Sequence, residues 1–191
     1  MAKLSRTAIR ERERAEGLQW EDLDRLWREI QMGRSNGWSA GRAFEHLVVR
    51  AFALSGLKIE YPYDVPLAGA PLEQIDGMVY RREIPFLIEC KDRRGVDITA
   101  VAKMRNQLAR RPPITMGCIF TSGSFTAPAV VLADFAAPHR ITLWDQRDIA
   151  DAIKARDFAE ALERKYHELC MFGLTDHSPH YRENERHVRR L

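Results

Sequence analysis

Phe86-Leu87-Ile88-Glu89-Cys90-Lys91 is an apolar run that ends in a carboxylate and an ammonium. The short run reads as a strand. Side chains two apart on a strand share a face, so Glu89 and Lys91 stand side by side at its end. Strands seldom spend core positions on such a pair. Working outward, residues 74–80 read as a strand and Arg81 to Glu83 as a tight turn, predicting a hairpin with residues 84–91 that brings Asp76 beside Glu89. Downstream, residues 98–110 read as a helix with Val101, Met104 and Leu108 on one face. Residues 114–121 and 141–144 read as strands, and 127–136, 146–155 and 158–169 as helices. Upstream, Ser39 is placed as the cap of a helix running to about residue 55, with Phe44, Leu47, Val48, Ala51 and Phe52 facing the core and Gly56 stopping it. Residues 57–61 read as a strand and 62–71 as a connection.

Two helices are predicted before this region. Residues 5–16 have almost no apolar face and read as mobile or docked on something outside the stretch. Residues 21–31 carry one stripe, Leu23, Leu26, Trp27 and Ile30. The order predicts an α/β protein with a mixed central sheet flanked by helices. It divides into an N-terminal helical extension (1–38), a core (39–156), and a C-terminal helix with a mobile tail (157–191). The 191 residues are 45% hydrophobic and 30% charged, which excludes a disordered chain. Three cysteines are too few for a disulfide framework and point to a reducing, cytoplasmic setting. The uncharged run 112–133 is as long as the ~20 residues that span a bilayer, but prolines and glycines break it into strand, loop and helix. No membrane association is expected.

Two convergent carboxylates, Asp76 and Glu89, suit a hard divalent cation such as Mg²⁺ or Mn²⁺. Lys91 beside them can orient an attacking water. Glu45 lies on the preceding helix with Val49 and Phe52 on the same partly apolar face, so a half-buried acid is expected there, contributing through a water or a second ion. An acid-x-Lys tripeptide alone arises often from alternation on a strand edge; the order Glu45, Asp76, Glu89-Cys90-Lys91 is what gives it weight.

These residues resemble the PD-(D/E)xK, or restriction-endonuclease-like, superfamily, and within it the Mrr-like type IV restriction endonuclease catalytic domain. Asp76 matches the first acid, Glu89-Cys90-Lys91 the (D/E)xK tripeptide and Glu45 the helical glutamate. Gly41-Arg42-Ala43-Phe44-Glu45 is similar to the opening helix motif, and residues 121–126 to the loop after the next core strand. Ile75 stands where the proline of the motif would be, and Glu89 where several Mrr relatives carry glutamine. The resemblance implies a restriction-endonuclease-like α/β/α core and metal-dependent endonucleolytic cleavage of DNA in restriction, defence or repair. It also implies metal ligands Asp76, Glu89, the Cys90 carbonyl and Glu45, and catalytic roles for Glu45, Asp76, Glu89 and Lys91. Holliday-junction resolvases share a similar core, which leaves branched DNA as an alternative substrate. A non-catalytic DNA-binding or protein-interaction module is the other alternative.

Arg93, Arg94, Lys103, Gln107, Thr121 and Ser122 are the candidates for contact with DNA. The total charge is only +3, yet nine basic and four acidic residues between Arg81 and Arg111 give that stretch +5, which brackets the candidate site. Cutting both strands calls for two sites, so a homodimer is expected; the N-terminal helices are the candidate surface for a protein partner. His167, Cys170, His177 and His180 have ligand types suited to zinc, but Cys170 reads more simply as the last buried position of a helix. Trp20, Trp27, Trp38 and Trp144 read as core or interface anchors rather than base-stacking platforms.

Overall fold

The computed structural model describes residues 5–35, 37–61, 63–67, 70–135 and 140–176. His177, His180 and the expected tail lie outside them. A five-stranded sheet has the order β1-β4-β5-β7-β9, from β1 (Lys58–Glu60), β4 (Gly77–Arg81), β5 (Ile84–Lys91), β7 (Met116–Thr121) and β9 (Ile141–Trp144). The hairpin forms as expected, Gly77 opposite Ile88 and Arg81 opposite Ile84. β1 also pairs antiparallel with β4, whereas β5, β7 and β9 run parallel, so the sheet is mixed. Parallel neighbours need crossovers. Helices α4 (Ile98–Ala109) and α5 (Ala127–Asp134) supply them.

Alternation along β5 divides the core. Phe86, Ile88 and Cys90 join Phe52, Phe120, Trp144 and Phe158 in one apolar layer, which holds α3 (Arg42–Leu54), α6 (Gln146–Ala155) and α7 (Phe158–Phe172). Leu87 joins Val101, Met104, Leu108, Ala129 and Leu143 in the other, under α4 and α5. The result is an α/β/α sandwich. Trp27, Trp38 and Trp144 are buried anchors.

Four expectations are corrected. Residues 62–71 are not a plain connection: β2 (Tyr63–Leu67) and β3 (Ala70–Ile75) pair as a separate two-stranded ribbon. The strand expected over 74–80 is broken at Asp76, which occupies a bend where the chain leaves that ribbon and enters the main sheet at Gly77. A Cβ on Gly77 would lie 3.3 Å from Val49 Cγ2, so a small residue lets the strand pass α3 here.

α3 begins at Arg42, after Gly41 with φ of 77°. Ser39 does not cap it; its backbone N–H donates instead to Glu11 Oε1 at 2.5 Å. Glu11 belongs to α1 (Arg6–Gly17), which packs on α3 through buried Ala15 and lays Arg14 over the Trp38 ring at 4.3 Å. The charged helix is thus docked on its own chain. α2 (Trp20–Gln31) buries Leu23, Leu26, Trp27 and Ile30 against the same layer. Lastly, Cys170 is exposed rather than buried, and all three cysteines are free. Among the described residues no helix is long and apolar enough to cross a membrane.

Candidate active site

Alternation turns Glu89 and Lys91 toward α4, on the face opposite Cys90. Glu89 Oε1 lies 2.5 Å from Lys91 Nζ, as the i, i+2 spacing predicts, and the Glu89 side chain is only 1% exposed. A buried carboxylate needs charge and hydrogen bonds to replace its water. Lys103, one turn into α4, supplies more of both: its Nζ donates to Oε1 at 2.8 Å and to Oε2 at 2.7 Å. Two ammonium groups therefore share one carboxylate.

Asp76 sits where the extended hairpin register would put it, one step past the Gly77 and Ile88 pair. Its Oδ2 accepts the Cys90 backbone N–H at 2.8 Å. That bond fixes the side chain against the tip of β5. Burial pushes the Asp76 carboxyl up to about 7; the charges of Glu89 and Glu45 add to this, and the Cys90 N–H opposes it. The Cys90 thiol is raised well above its usual range, first by burial and then by Asp76, Glu45 and Glu89.

Glu45 enters from the other helical layer, on the first turn of α3. Arg42, three residues before it, holds Glu45 Oε2 at 2.5 Å. Burial raises the Glu45 carboxyl, and Arg42 offsets part of that. Tyr61, at the end of β1, is raised by burial and by Glu45. Glu45, Asp76, Glu89 and Lys91 thus interact electrostatically around the C-terminal end of β5.

Crowded, partly neutralised carboxylates with oxygen donors fit a hard divalent cation. Among the described residues no group of three or more His, Cys, Asp or Glu side chains is arranged to hold a metal ion by itself. Mg²⁺ requires no such cage, because it keeps several waters and takes one or two carboxylates. Asp76 registers the crowding most clearly: burial and the neighbouring Glu89 and Glu45 carboxylates raise its carboxyl, and the Cys90 N–H and Lys103 offset only part of that.

The residues expected to touch DNA separate into two sets. Arg93 and Arg94 are exposed on a ledge just past Lys91, where β6 (Gly95–Val96) pairs in parallel with β8 (Ser124–Phe125). The ledge is pinned: Thr121 Oγ1 donates to the Arg93 carbonyl at 3.0 Å, and Ser124 N to the Arg94 carbonyl at 3.1 Å. Ser122 Oγ donates to Asp92 Oδ1 at 2.5 Å, while its carbonyl accepts from Gln31 Nε2 at 2.8 Å. Thr121 and Gln107 are not surface groups. Thr121 is fully buried beneath the ledge, and Gln107 is 3% exposed with no hydrogen-bond partner for Nε2. Both follow from helix and strand faces that turn inward at those positions.

The +5 stretch is also more divided than the linear count implies. Arg81 and Arg82 pair with Glu163 at 2.7 and 3.6 Å, at the start of β5, roughly 23 Å of extended chain from Lys91. Arg110 and Arg111 follow the last turn of α4, where the crossover has returned to that same end. Of the nine, Lys91 and Lys103 touch Glu89, and Arg93 and Arg94 follow Lys91 directly. The Lys103 contact with Glu89 was not legible in the sequence, because it depends on how α4 lies across β5. Arg42 and Tyr61 were missed too, although Arg42 at i−3 from Glu45 was a usable signal.

A restriction endonuclease family, Mrr_cat, matches residues 38–153. No curated protein matches the chain. Among solved structures, one described as the crystal structure of a protein of unknown function, AF1548, is similar at 18% identity with a TM-score of 0.45, covering 78% of this chain and 79% of that one.

Proposed function

The chain belongs to the Mrr_cat restriction endonuclease family, and from that premise we propose that it is a divalent-metal-dependent endodeoxyribonuclease whose catalytic residues are Glu45, Asp76, Glu89 and Lys91. The observation that carries the reading is the meeting of Asp76, Glu89 and Lys91 at the tip of β5, with Glu45 reaching it from α3.

Asp76 and Glu89, with the Cys90 carbonyl and Glu45, would hold Mg²⁺ or Mn²⁺, which supplies Lewis acidity to offset charge building on the scissile phosphate. The chain's own part is positional. The Cys90 N–H and Lys91 fix the two carboxylates, so their geometry is set before DNA arrives. Lys91 Nζ, on a side chain 26% exposed, has donors left to orient a water for in-line attack on phosphorus. Arg93 and Arg94, on their pinned ledge, would hold flanking phosphates. The phosphorus–oxygen bond to the leaving group breaks as the water oxygen bonds to phosphorus, and a proton passes to the leaving oxygen.

The test uses purified protein with plasmid, linear and branched DNA and Mg²⁺ or Mn²⁺. Cleavage is expected, reduced at least about 100-fold in Asp76→Asn and in Lys91→Met. Equal cutting by wild type and both variants would overturn the assignment.

A further inference from the structure

The charge arrangement around Glu89 exceeds what an ion pair requires. Lys91, on the same strand, already neutralises this carboxylate. Lys103 comes from a different element and engages both oxygens, at 2.8 and 2.7 Å. Glu45 meanwhile has Arg42, so three carboxylates face three side-chain cations. A dication entering this set adds two positive charges to a balanced cluster, and it needs oxygen lone pairs that Lys103 now uses. One resident cation has to yield.

The candidates differ in freedom. Lys91 is 26% exposed and rooted in the sheet, and Arg42 is 25% exposed and within one turn of its partner. Lys103 is 44% exposed on the outer helix, and its four-carbon stem can swing the ammonium into water without moving the backbone.

We propose that Lys103 is an exchangeable counter-cation of the candidate metal site: it holds the Glu89 carboxylate in its buried position before a divalent cation binds, and is displaced when one does. This rests on the reading of Asp76 and Glu89 as ligands. It gives Lys103 a role apart from general attraction of DNA, since removing it is expected to strengthen metal binding while a mere DNA contact would leave that unchanged.

The experiment is calorimetric titration of metal-free protein, without DNA, with Mn²⁺. Metal binding to wild type has to break the Lys103–Glu89 ion pair, whose unit charges lie under 3 Å apart, and that costs about tenfold in affinity even at the dielectric constant of water. Lys103→Met is therefore expected to lower the Mn²⁺ dissociation constant about tenfold, and Lys103→Arg to keep it near wild type. Tighter binding by Lys103→Met, or Mn²⁺ heat in that variant where wild type shows none, supports the proposal. Equal or weaker binding overturns it and leaves the nuclease assignment standing, as that is judged by DNA cleavage. Heat absent from both proteins overturns it as well. Should Lys103→Met fail to fold, ¹³C-methylated lysines in wild type give the second readout, with the Lys103 resonance assigned by its loss in Lys103→Arg. A shift of that resonance on adding Mg²⁺ is expected, and an unmoved one overturns the proposal.

Discussion

His46 shows how closely the candidate site is tied to the core behind it. It follows Glu45 on α3, its ring centroid 5.2 Å from Trp38 and 5.1 Å from Tyr61, with the Tyr61 hydroxyl 3.4 Å from Nε2. Burial drives its pKa down from 6.5 to about 4, Glu11 opposing. The folded state therefore resists protonation that the unfolded chain accepts. Stability from neutral His46 is complete above pH 6.5 and is lost as pH falls from there toward 4. Urea unfolding at pH 7.5 and pH 5 is expected to show a loss on the order of 2 kcal/mol from this group. In His46→Gln that portion of the acid sensitivity disappears.

Two local assemblies carry predictions of their own. On the ledge that presents Arg93 and Arg94, a Cβ on Gly123 would fall 2.4 Å from the Arg94 carbonyl oxygen and 2.5 Å from that of Arg93. Both atoms are backbone, so Gly123→Ala has to push β6 and β8 apart. DNA binding is expected to weaken while Mn²⁺ binding, measured calorimetrically, stays within about twofold, because the ligands lie on other segments. Under β9, Lys165 is fully buried, donates to the Leu143 carbonyl at 2.7 Å and pairs with Asp148 Oδ2 at 2.8 Å. Truncating one partner strands a buried charge. Lys165→Met is expected to cost about 3–5 kcal/mol in urea unfolding, and Lys165→Met with Asp148→Leu much less. A double variant no better than the single would contradict this account of the pair.

The whole molecule joins what the linear order separates. α1 and α2 precede the family match but share the apolar layer of α3, through Ala15, Leu23, Leu26, Trp27 and Ile30. A chain starting at residue 39 would strip Trp27 from Phe44 and uncover the face of α3 on which α1 and α2 pack. It is expected to aggregate or to lose its cooperative unfolding transition, checked by circular dichroism during heating. Charge placement makes a second prediction. Arg93→Ala with Arg94→Ala is expected to reduce the salt slope of DNA binding by about 2, and Arg81→Ala with Arg110→Ala to leave it unchanged, since those two lie at the far end of β5.

What was legible in the sequence was whatever depends on neighbours along the chain. Two-residue alternation placed Glu89 beside Lys91, the short turn at Arg81 to Glu83 set the hairpin that carries Asp76, and helical spacing gave α3 its apolar face with Glu45 at its start. The β2–β3 ribbon was missed because residues 62–71, with their prolines and glycine, read as loop. Tertiary structure alone decided which distant groups share a space. The crossing of α4 over β5 put Lys103 on Glu89, turned Gln107 inward and sent Arg110 and Arg111 away from the site. Local periodicity states which face a residue takes, whereas the partner on that face depends on how elements pack, and packing is set by the summed fit of the whole core.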